Sequence, residues 1–108
     1  MKLEGHPAQH LDDTIHQRAR LGIMAIVCEV KEADLGTIRS TLELTPGNLS
    51  QHLSVLEAAG LVASRKTFEG KKPRTWIRVT PKGRRAYKAE LDLLRQLLDR
   101  ATGDAKSS

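Results

Sequence analysis

Apolar residues recur at helical spacing through the first half of the chain, and the earliest such segment is the most apolar. It begins after Asp12 or Asp13, either of which could cap a helix, and runs to about Val30. Apolar side chains occupy nearly every side of this helix. A helix that is apolar all round needs cover on all sides. In a chain of 108 residues we expect a partner subunit to supply part of that cover.

Two shorter helices are predicted next, each with a cap and one apolar stripe. Asp34 can cap the second helix, which should end near Leu44 and carries Leu35, Ile38 and Leu42 on one face. Thr45 and Pro46 form a cap-plus-proline start for the third helix, and Gly60 is placed to end it. The apolar stripe of the third helix is Leu49, Leu53 and Leu56.

A β-hairpin and a long final helix complete the predicted order. Residues 61–68 and 74–79 have the composition of two strands, and residues 69–73 form the turn between them. Thr80 and Pro81 then start a helix that runs to about Arg100. The order helix, helix, helix, hairpin, helix predicts a mainly α fold with a small β-hairpin (α+β), which is a winged helix-turn-helix.

The two ends of the chain differ in composition from the rest. Residues 1–11 are polar and include Gly5 and Pro7, so we expect a flexible N-terminal arm. Residues 102–108 look like a flexible tail. Residues 12–101 then form one domain for DNA binding and dimerisation.

The outer face of the third helix suits a DNA groove. Opposite the apolar stripe lie Gly47, Gln51, Ser54 and Ala58, with Asn48 and Ser50 on the flanks. These side chains are small or amide-bearing, and the face carries no acid before Glu57. Asn and Gln can pair bidentately with adenine. His52 lies between the two faces and is interpreted as a phosphate or groove contact, with packing at the helix edge as the alternative. The pattern alone fits a polar surface helix equally well.

The charge of the chain is concentrated near the hairpin. The formal net charge is +5, and nine of the residues from Arg65 to Arg85 are basic while one is acidic. A projecting basic loop beside a groove-binding helix suits phosphate contact or minor-groove insertion. Such lysines can also protect a strand edge from aggregation. The basic hairpin residues taken as a DNA contact are Lys66, Lys71, Lys72 and Arg74.

Residues 48–62 (NLSQHLSVLEAAGLV), followed by this basic hairpin, resemble the recognition helix and wing of the ArsR and MarR families of regulators. A wider pattern is similar to a family of compact, dimeric winged-helix regulators and spans about residues 11–98: IH, RL, GNL, FEGKKPRT and VTPKG. The resemblance implies that two modules bind one pseudo-palindromic site. It places in the major groove Thr45, Gly47, Asn48, Ser50, Gln51 and Ser54, and in the wing Lys71, Lys72 and Arg74.

The last helix carries more leucines than one domain needs. Tyr87, Leu91, Leu94 and Leu98 follow one another at spacings of 4, 3 and 4, a heptad-like pattern that favours a homodimer built from the first and last helices. A helix lying on a membrane surface is less favoured, because acids and bases mix along its polar side. The residues assigned to the dimer interface are Leu21, Met24, Tyr87, Leu91, Leu94 and Leu98.

The sequence contains few residues that suggest disulfide, metal or catalytic chemistry. Cys28 is the single cysteine, so no internal disulfide can form, and it is interpreted as a small buried hydrophobe. The metal-ligand pattern of ArsR sensors is missing, and no catalytic constellation is present, so we expect no metal, no cofactor and no enzyme activity. No signal peptide precedes the domain, and the longest apolar run is too short to cross a bilayer, which indicates a cytoplasmic protein. His16 is interpreted as a local hydrogen-bonding residue.

These observations predict a bacterial or archaeal transcription regulator that binds specific double-stranded DNA as a homodimer, with repression as the expected mode. One alternative is a winged helix that binds a protein partner and never meets DNA. Another is recognition of left-handed DNA, since Asn48 and Trp76 resemble features of winged helices of that kind, although Trp76 is interpreted as a core residue of the hairpin. Whether an effector exists is left open, and any pocket is expected at the dimer interface.

Overall fold

The computed structural model describes residues 5–12, 14–15 and 17–103. After a short 3-10 turn, four helices surround a small sheet, in the predicted order. The helices are α1 (Arg18–Glu29), α2 (Leu35–Leu42), α3 (Pro46–Ala58) and α4 (Pro81–Ala101), and the strands are β1 (Ala33–Asp34), β2 (Val62–Glu69) and β3 (Lys72–Val79). The winged helix-turn-helix prediction is confirmed.

Three helices begin where capping chemistry predicts. The side chains of Asp34, Thr45 and Thr80 each accept a hydrogen bond from the backbone N–H three residues later. Proline follows directly after Thr45 and Thr80, where the helix needs no N–H donor. At the other end of α3, Gly60 adopts a φ of +78°, which ends the helix as predicted.

The start of α1 was predicted wrongly. The helix begins at Arg18 after Gln17, which makes no side-chain cap. The Asp12 carboxylate accepts instead from the N–H of Thr14, and the Asp12 carbonyl accepts from the N–H of Ile15, so this segment forms a local turn. Asp13 lies outside the described residues.

The second helix is shorter than expected, and the sheet has an extra strand. Helix α2 ends at Leu42, because Glu43 turns into the left-handed region with a φ of 54°. The two residues of β1 pair antiparallel with β3, so that the sheet order is β1-β3-β2. This strand fixes the segment before α2 to the base of the hairpin.

The core lies between the helices and one face of the sheet. Helices α1, α2 and α3 each contribute fully buried apolar side chains to the core, whereas α4 contributes none. Instead, the backbone of α4 at Gly83 lies close to the carbonyl group of Leu61. Met24 is 0% exposed within the protomer, so α1 is covered mainly by its own chain. The buried apolar set is Ile15, Ile23, Met24, Val27, Ala33, Ile38, Leu49, Leu53, Leu56, Leu61, Val62 and Ile77.

Part of the predicted N-terminal arm is folded against α4. Residues Pro7–His10 form the 3-10 turn, in which Pro7 is buried, and this turn contacts α4. The Glu90 carboxylate of α4, only 1% exposed, accepts a 2.9 Å hydrogen bond from the N–H of Asp12. This part of the arm therefore packs against α4. Residues 1–4, His16 and most of the predicted tail (104–108) lie outside the described residues.

Candidate nucleic-acid interface

Helix α3 separates a buried apolar stripe from an exposed polar face. Leu49, Leu53 and Leu56 are all buried in the core. The side chains predicted to read DNA are exposed on the other side: Thr45, Gly47, Asn48, Ser50, Gln51 and Ser54. The helical-wheel prediction of these two faces therefore agrees with the burial along α3.

The first turn of α3 leaves its backbone open. A Cβ built on Gly47 would meet no atom within 4 Å, and the first turn contains no acidic residue. The hydroxyl of Thr45 occupies the N–H of Asn48 at 3.1 Å, while the N–H of Gly47 has no intrahelical partner. The free backbone N–H groups at a helix N-terminus of this kind can donate hydrogen bonds to a phosphate.

His52 is half-buried and faces α1. Its Nδ1 lies 3.4 Å from Nη1 of Arg20, whose Nε donates to the carbonyl of Thr14 at 2.6 Å. Because a guanidinium only donates, Nδ1 is the acceptor in this contact. His52 thus joins α3 to the segment before α1 and has one ring nitrogen left for a further partner.

The β2–β3 hairpin carries the predicted basic residues. Lys66, Lys71, Lys72 and Arg74 are all exposed. Gly70, with a φ of +66°, makes the turn between the strands. Arg74 is 3.3 Å from the Glu69 carboxylate, whereas the three lysines have no ion-pair partner among the residues that the structure describes. The hairpin therefore offers free positive charge at and beside its turn.

Comparison with known proteins identifies this arrangement. Residues 19–98, most of the chain, match the family model described as a winged helix DNA-binding domain. The chain belongs to the winged helix DNA-binding domain family. Helix α3 occupies the position of the recognition helix in this fold, and the β2–β3 hairpin occupies the position of the wing.

Two archaeal proteins and one bacterial regulator are similar to this winged helix. The uncharacterized protein MJ0432 of Methanocaldococcus jannaschii is 35% identical over 69 residues, which cover 64% of this chain and 75% of that protein. The structure of a transcriptional regulator homologue from Pyrococcus horikoshii OT3 superposes with a TM-score of 0.80 at 32% identity, covering 94% of this chain and 98% of that one. A MarR-family regulator from Enterococcus faecalis V583 gives 0.74 at 26% identity, covering 86% and 84%.

These findings confirm the predicted resemblance. The protein is a winged-helix transcriptional regulator, and its fold is similar to that of MarR-family regulators. The family is one of regulators rather than enzymes, in agreement with the prediction from the sequence. Among the described residues, no helix is both long and apolar enough to cross a membrane.

The outer face of the wing holds an ion pair and a stacked tryptophan. Arg65 forms two hydrogen bonds of 2.8 and 2.6 Å with the Glu32 carboxylate, and these bonds hold the pKa of Glu32 below its usual range. The guanidiniums of Arg65 and Arg74 lie 5.9 and 5.4 Å from the centre of the Trp76 ring. Trp76 also donates to the hydroxyl of Thr67 at 3.0 Å. Trp76 is therefore a half-buried residue on the outer face, not the core residue expected from the sequence.

Phe68 is a wing residue outside the set of DNA contacts predicted from the sequence. Its side chain is 65% exposed, and it pairs across the hairpin with the exposed Pro73. Because side chains alternate between faces along a strand, Phe68 and Lys66 share one face of the wing. The signal was available in the sequence, since Phe68 is the chain's single phenylalanine and stands two residues before the turn glycine.

The predicted dimer residues differ in how much surface they present. Leu91 is 42% exposed and Leu98 is 62% exposed. Leu21, Tyr87 and Leu94 are half-buried, and burial raises the pKa of the Tyr87 hydroxyl. Met24 lies wholly in the protomer's own core, so its side chain offers no surface to a partner subunit.

Cys28 is half-buried, and desolvation raises the pKa of its thiol.

A cavity of about 340 Å³ opens beside the recognition helix. It lies within one protomer, whereas any pocket was expected from the sequence to lie at the dimer interface. The cavity is formed by α2, the first half of α3 and β3. Its lining residues are mostly aliphatic, with Arg39, Ser50 and Thr75 as its polar side chains.

Proposed function

We propose that this regulator binds a specific double-stranded DNA operator as a homodimer and represses transcription by occupying the promoter. The observation that carries the proposal is the exposed, acid-free polar face at the start of α3, next to a wing with free lysines. In each protomer, α3 enters the major groove and the wing follows the adjacent backbone.

The recognition helix reads bases through amides and hydroxyls. Asn48 and Gln51 lie on the exposed face near the N-terminus of α3, where a helix approaches base edges first. Either amide can make a bidentate pair with adenine, and the hydroxyls of Ser50 and Ser54 can serve any base. The small side chains of this face let the helix come close to the groove floor.

The wing supplies both charge and an apolar contact. Lys66, Lys71 and Lys72 contact phosphates, since no described carboxylate neutralises them. Phe68 extends from the same face as Lys66 and inserts its ring into the minor groove. Proteins that bind the minor groove often place apolar side chains between base steps in this way. His52, which Arg20 contacts through Nδ1, binds a phosphate with its other ring nitrogen.

The second half of α4 forms the dimer interface. Leu91 and Leu98 expose large apolar side chains on a helix of 21 residues, and the half-buried Leu94 lies between them along the same seam. Two α4 helices packed along this seam would cover these leucines. The resulting two-fold axis requires an operator with inverted half-sites about 10–10.5 base pairs apart, centre to centre.

Selection from a randomised duplex library tests the reading of bases. The wild type, Asn48→Ala, Gln51→Ala and the matched amide control Gln96→Ala on exposed α4 are compared. Each α3 variant should lose discrimination at particular base pairs of each half-site, by about 1–3 kcal/mol, while the control keeps the wild-type pattern. Unchanged sequence patterns in both α3 variants would contradict the proposal and favour a protein-binding winged helix.

Sedimentation of the free protein tests the dimer. Leu91→Lys together with Leu98→Lys should shift the dimer toward monomer, because both charges would be buried in the interface. Gln96→Lys, on the polar side of α4, should leave the dimer intact. A double variant that stays as dimeric as the control would place the interface elsewhere.

A further inference from the structure

The tip of the wing carries an apolar pair on the side of the sheet that faces the core. Phe68 is 65% exposed, and the exposed Pro73 lies directly opposite it on β3. Side chains that lie opposite each other, or two residues apart along a strand, share one face of a sheet. On this face Pro73 is followed by Thr75 and then by the buried Ile77. Phe68 and Pro73 therefore continue the core-facing side of the hairpin outward beyond the core.

The same face of the wing is turned toward the first half of α3. Thr75 lines one cavity together with Pro46 and Ser50, which belong to the first two turns of α3. Pro73 is two residues closer to the wing tip than Thr75, a distance of about 7 Å along an extended strand. The apolar pair therefore lies beside the turns of α3 that the proposed function places in the major groove.

The opposite face of the wing is held by contacts within the hairpin. Trp76 donates a 3.0 Å hydrogen bond to the hydroxyl of Thr67 on the neighbouring strand, and Arg74 pairs with Glu69 beside the turn. Eight residue pairs join β2 to β3 in one regular ladder. Phe68 therefore projects from a firmly paired hairpin, which can hold a ring against the resistance of stacked bases.

Free positive charge on the same hairpin indicates DNA as the partner of the apolar pair. Lys66 shares the face of Phe68, and Lys71 and Lys72 follow the turn glycine. None of the three lysines has an ion-pair partner among the residues that the structure describes. An apolar protein surface would have to desolvate these charges without compensation, whereas the phosphates along a groove neutralise them.

We propose that Phe68, supported by Pro73, is a wedge that unstacks one base step in the minor groove beside each half-site and bends the operator there. This role rests on the proposed DNA-binding function and adds a bend and a preferred base step to it. Apolar wedges of this kind kink a duplex by about 20–90° toward the major groove. Pyrimidine–purine steps such as TA and CA unstack most readily, so the wing selects such a step without reading a base edge.

Base analogues in the selected operator test the wedge directly. 2-Aminopurine is placed at one position after another, because its fluorescence rises when it loses a stacked neighbour. We expect one position beside each half-site to brighten with the wild type and with Phe68→Leu, and none to brighten with Phe68→Ala. Fluorescence energy transfer between the duplex ends should show a bend that Phe68→Ala reduces.

Val30→Ala is the matched control, because it shortens an exposed apolar side chain at the end of α1, outside the wing. It should brighten the same positions and bend the operator as the wild type does, and the melting temperature checks that each variant is folded. A specifically bound operator with no brightened position, or with an equal bend in Phe68→Ala, would overturn the wedge and leave the proposed function standing.

Substitution of the brightened step measures its selection. The stacking free energies of base steps span a range that corresponds to about fifteenfold in affinity. Replacing the step by AA should therefore weaken binding of the wild type by about fivefold to fifteenfold for each half-site. The affinity of Phe68→Ala should not change. Equal losses in the two proteins would overturn step selection by Phe68.

A duplex with a single-nucleotide gap distinguishes failure of the wedge from failure of the proposed function, because it needs no operator. One step of this duplex is already unstacked, so the wild type should bind it about fivefold to fifteenfold more tightly than the intact duplex of the same sequence. Phe68→Ala should bind both equally. A wild type without this preference would overturn the wedge. The preference in a protein that selects no sequence motif would overturn the proposed function and support the wedge.

Discussion

Replacing Gly83 by alanine should destabilise the fold, against the usual preference of helices for alanine. Gly83 lies in the first turn of α4, where its N–H donates to the Thr80 hydroxyl at 2.9 Å. A Cβ at this position would lie 2.0 Å from the carbonyl oxygen of Leu61 and 2.9 Å from Cγ2 of Val79. The backbone between α3 and β2 would have to move by about 1 Å to admit the methyl group.

The size of the stability loss in Gly83→Ala follows from the contacts that this backbone movement would disturb. The same Leu61 oxygen accepts the N–H of Thr80 at 3.0 Å, and the Thr80 hydroxyl donates to the carbonyl of Gly60 at 2.6 Å. Two weakened hydrogen bonds cost about 1 kcal/mol each, and the crowding costs about 1–3 kcal/mol. Alanine returns about 1 kcal/mol of helix propensity. We expect the free energy of unfolding to fall by about 2–4 kcal/mol.

Urea unfolding of Gly83→Ala, followed by circular dichroism, measures this loss. Each variant is measured at several protein concentrations, because dimerisation adds to apparent stability. Gly47→Ala is the matched control, since its Cβ meets open space and its φ is not positive. The free energy of unfolding of Gly47→Ala should equal that of the wild type or exceed it by up to about 1 kcal/mol. A Gly83→Ala protein as stable as Gly47→Ala would refute the argument from close approach.

Three further predictions concern the wing and the cap of α2. Lys71→Ala with Lys72→Ala removes up to four phosphate contacts per dimer, so the slope of log K against log salt should flatten by about 3–4 in a salt titration. Phe68→Ala should weaken operator binding by roughly 1.5–3 kcal/mol for each inserted ring, with no change in that slope. Asp34→Ala should cost about 0.5–2 kcal/mol in urea unfolding. Hydrogen bonds from Thr37 lower the pKa of Asp34, so its contribution is complete above the unfolded-state pKa and is lost as pH falls through the folded value.

Each of these has a control of its own. Lys31→Ala, an exposed lysine outside the wing, should leave the salt slope unchanged, and an equal change there would contradict the wing assignment. Phe68→Leu should retain most of the affinity, since it keeps an apolar side chain. If Asp34→Ala lost stability in acid as steeply as the wild type, the carboxylate of Asp34 would not be the group responsible.

The sequence predicted those elements whose signals are local. Thr45, Pro46 and Gly60 mark the ends of α3 through backbone chemistry that needs no distant partner. The stripe of Leu49, Leu53 and Leu56 sets which face of α3 is buried, and therefore which residues can reach DNA. The positions of the wing strands and of α4 followed in the same way from their turn residues and their cap.

The features that were missed depend on contacts between distant segments. Helix α1 starts at Arg18 because the Asp12 carboxylate and backbone are used in a local turn, which composition cannot reveal. Met24 looked available to a partner because the elements packed around α1 cannot be counted from its own pattern. The pair of Arg65 with Glu32 joins residues 33 apart, and the cavity is formed by α2, α3 and β3 together.

Selection of genomic DNA fragments by the purified protein at near-physiological salt, followed by sequencing, tests the central claim most directly. The account predicts an inverted repeat with half-sites about 10–10.5 base pairs apart, centre to centre, located in promoters. Retention of DNA without a shared motif, lost as salt rises, would contradict sequence-specific binding by a dimer of this winged helix.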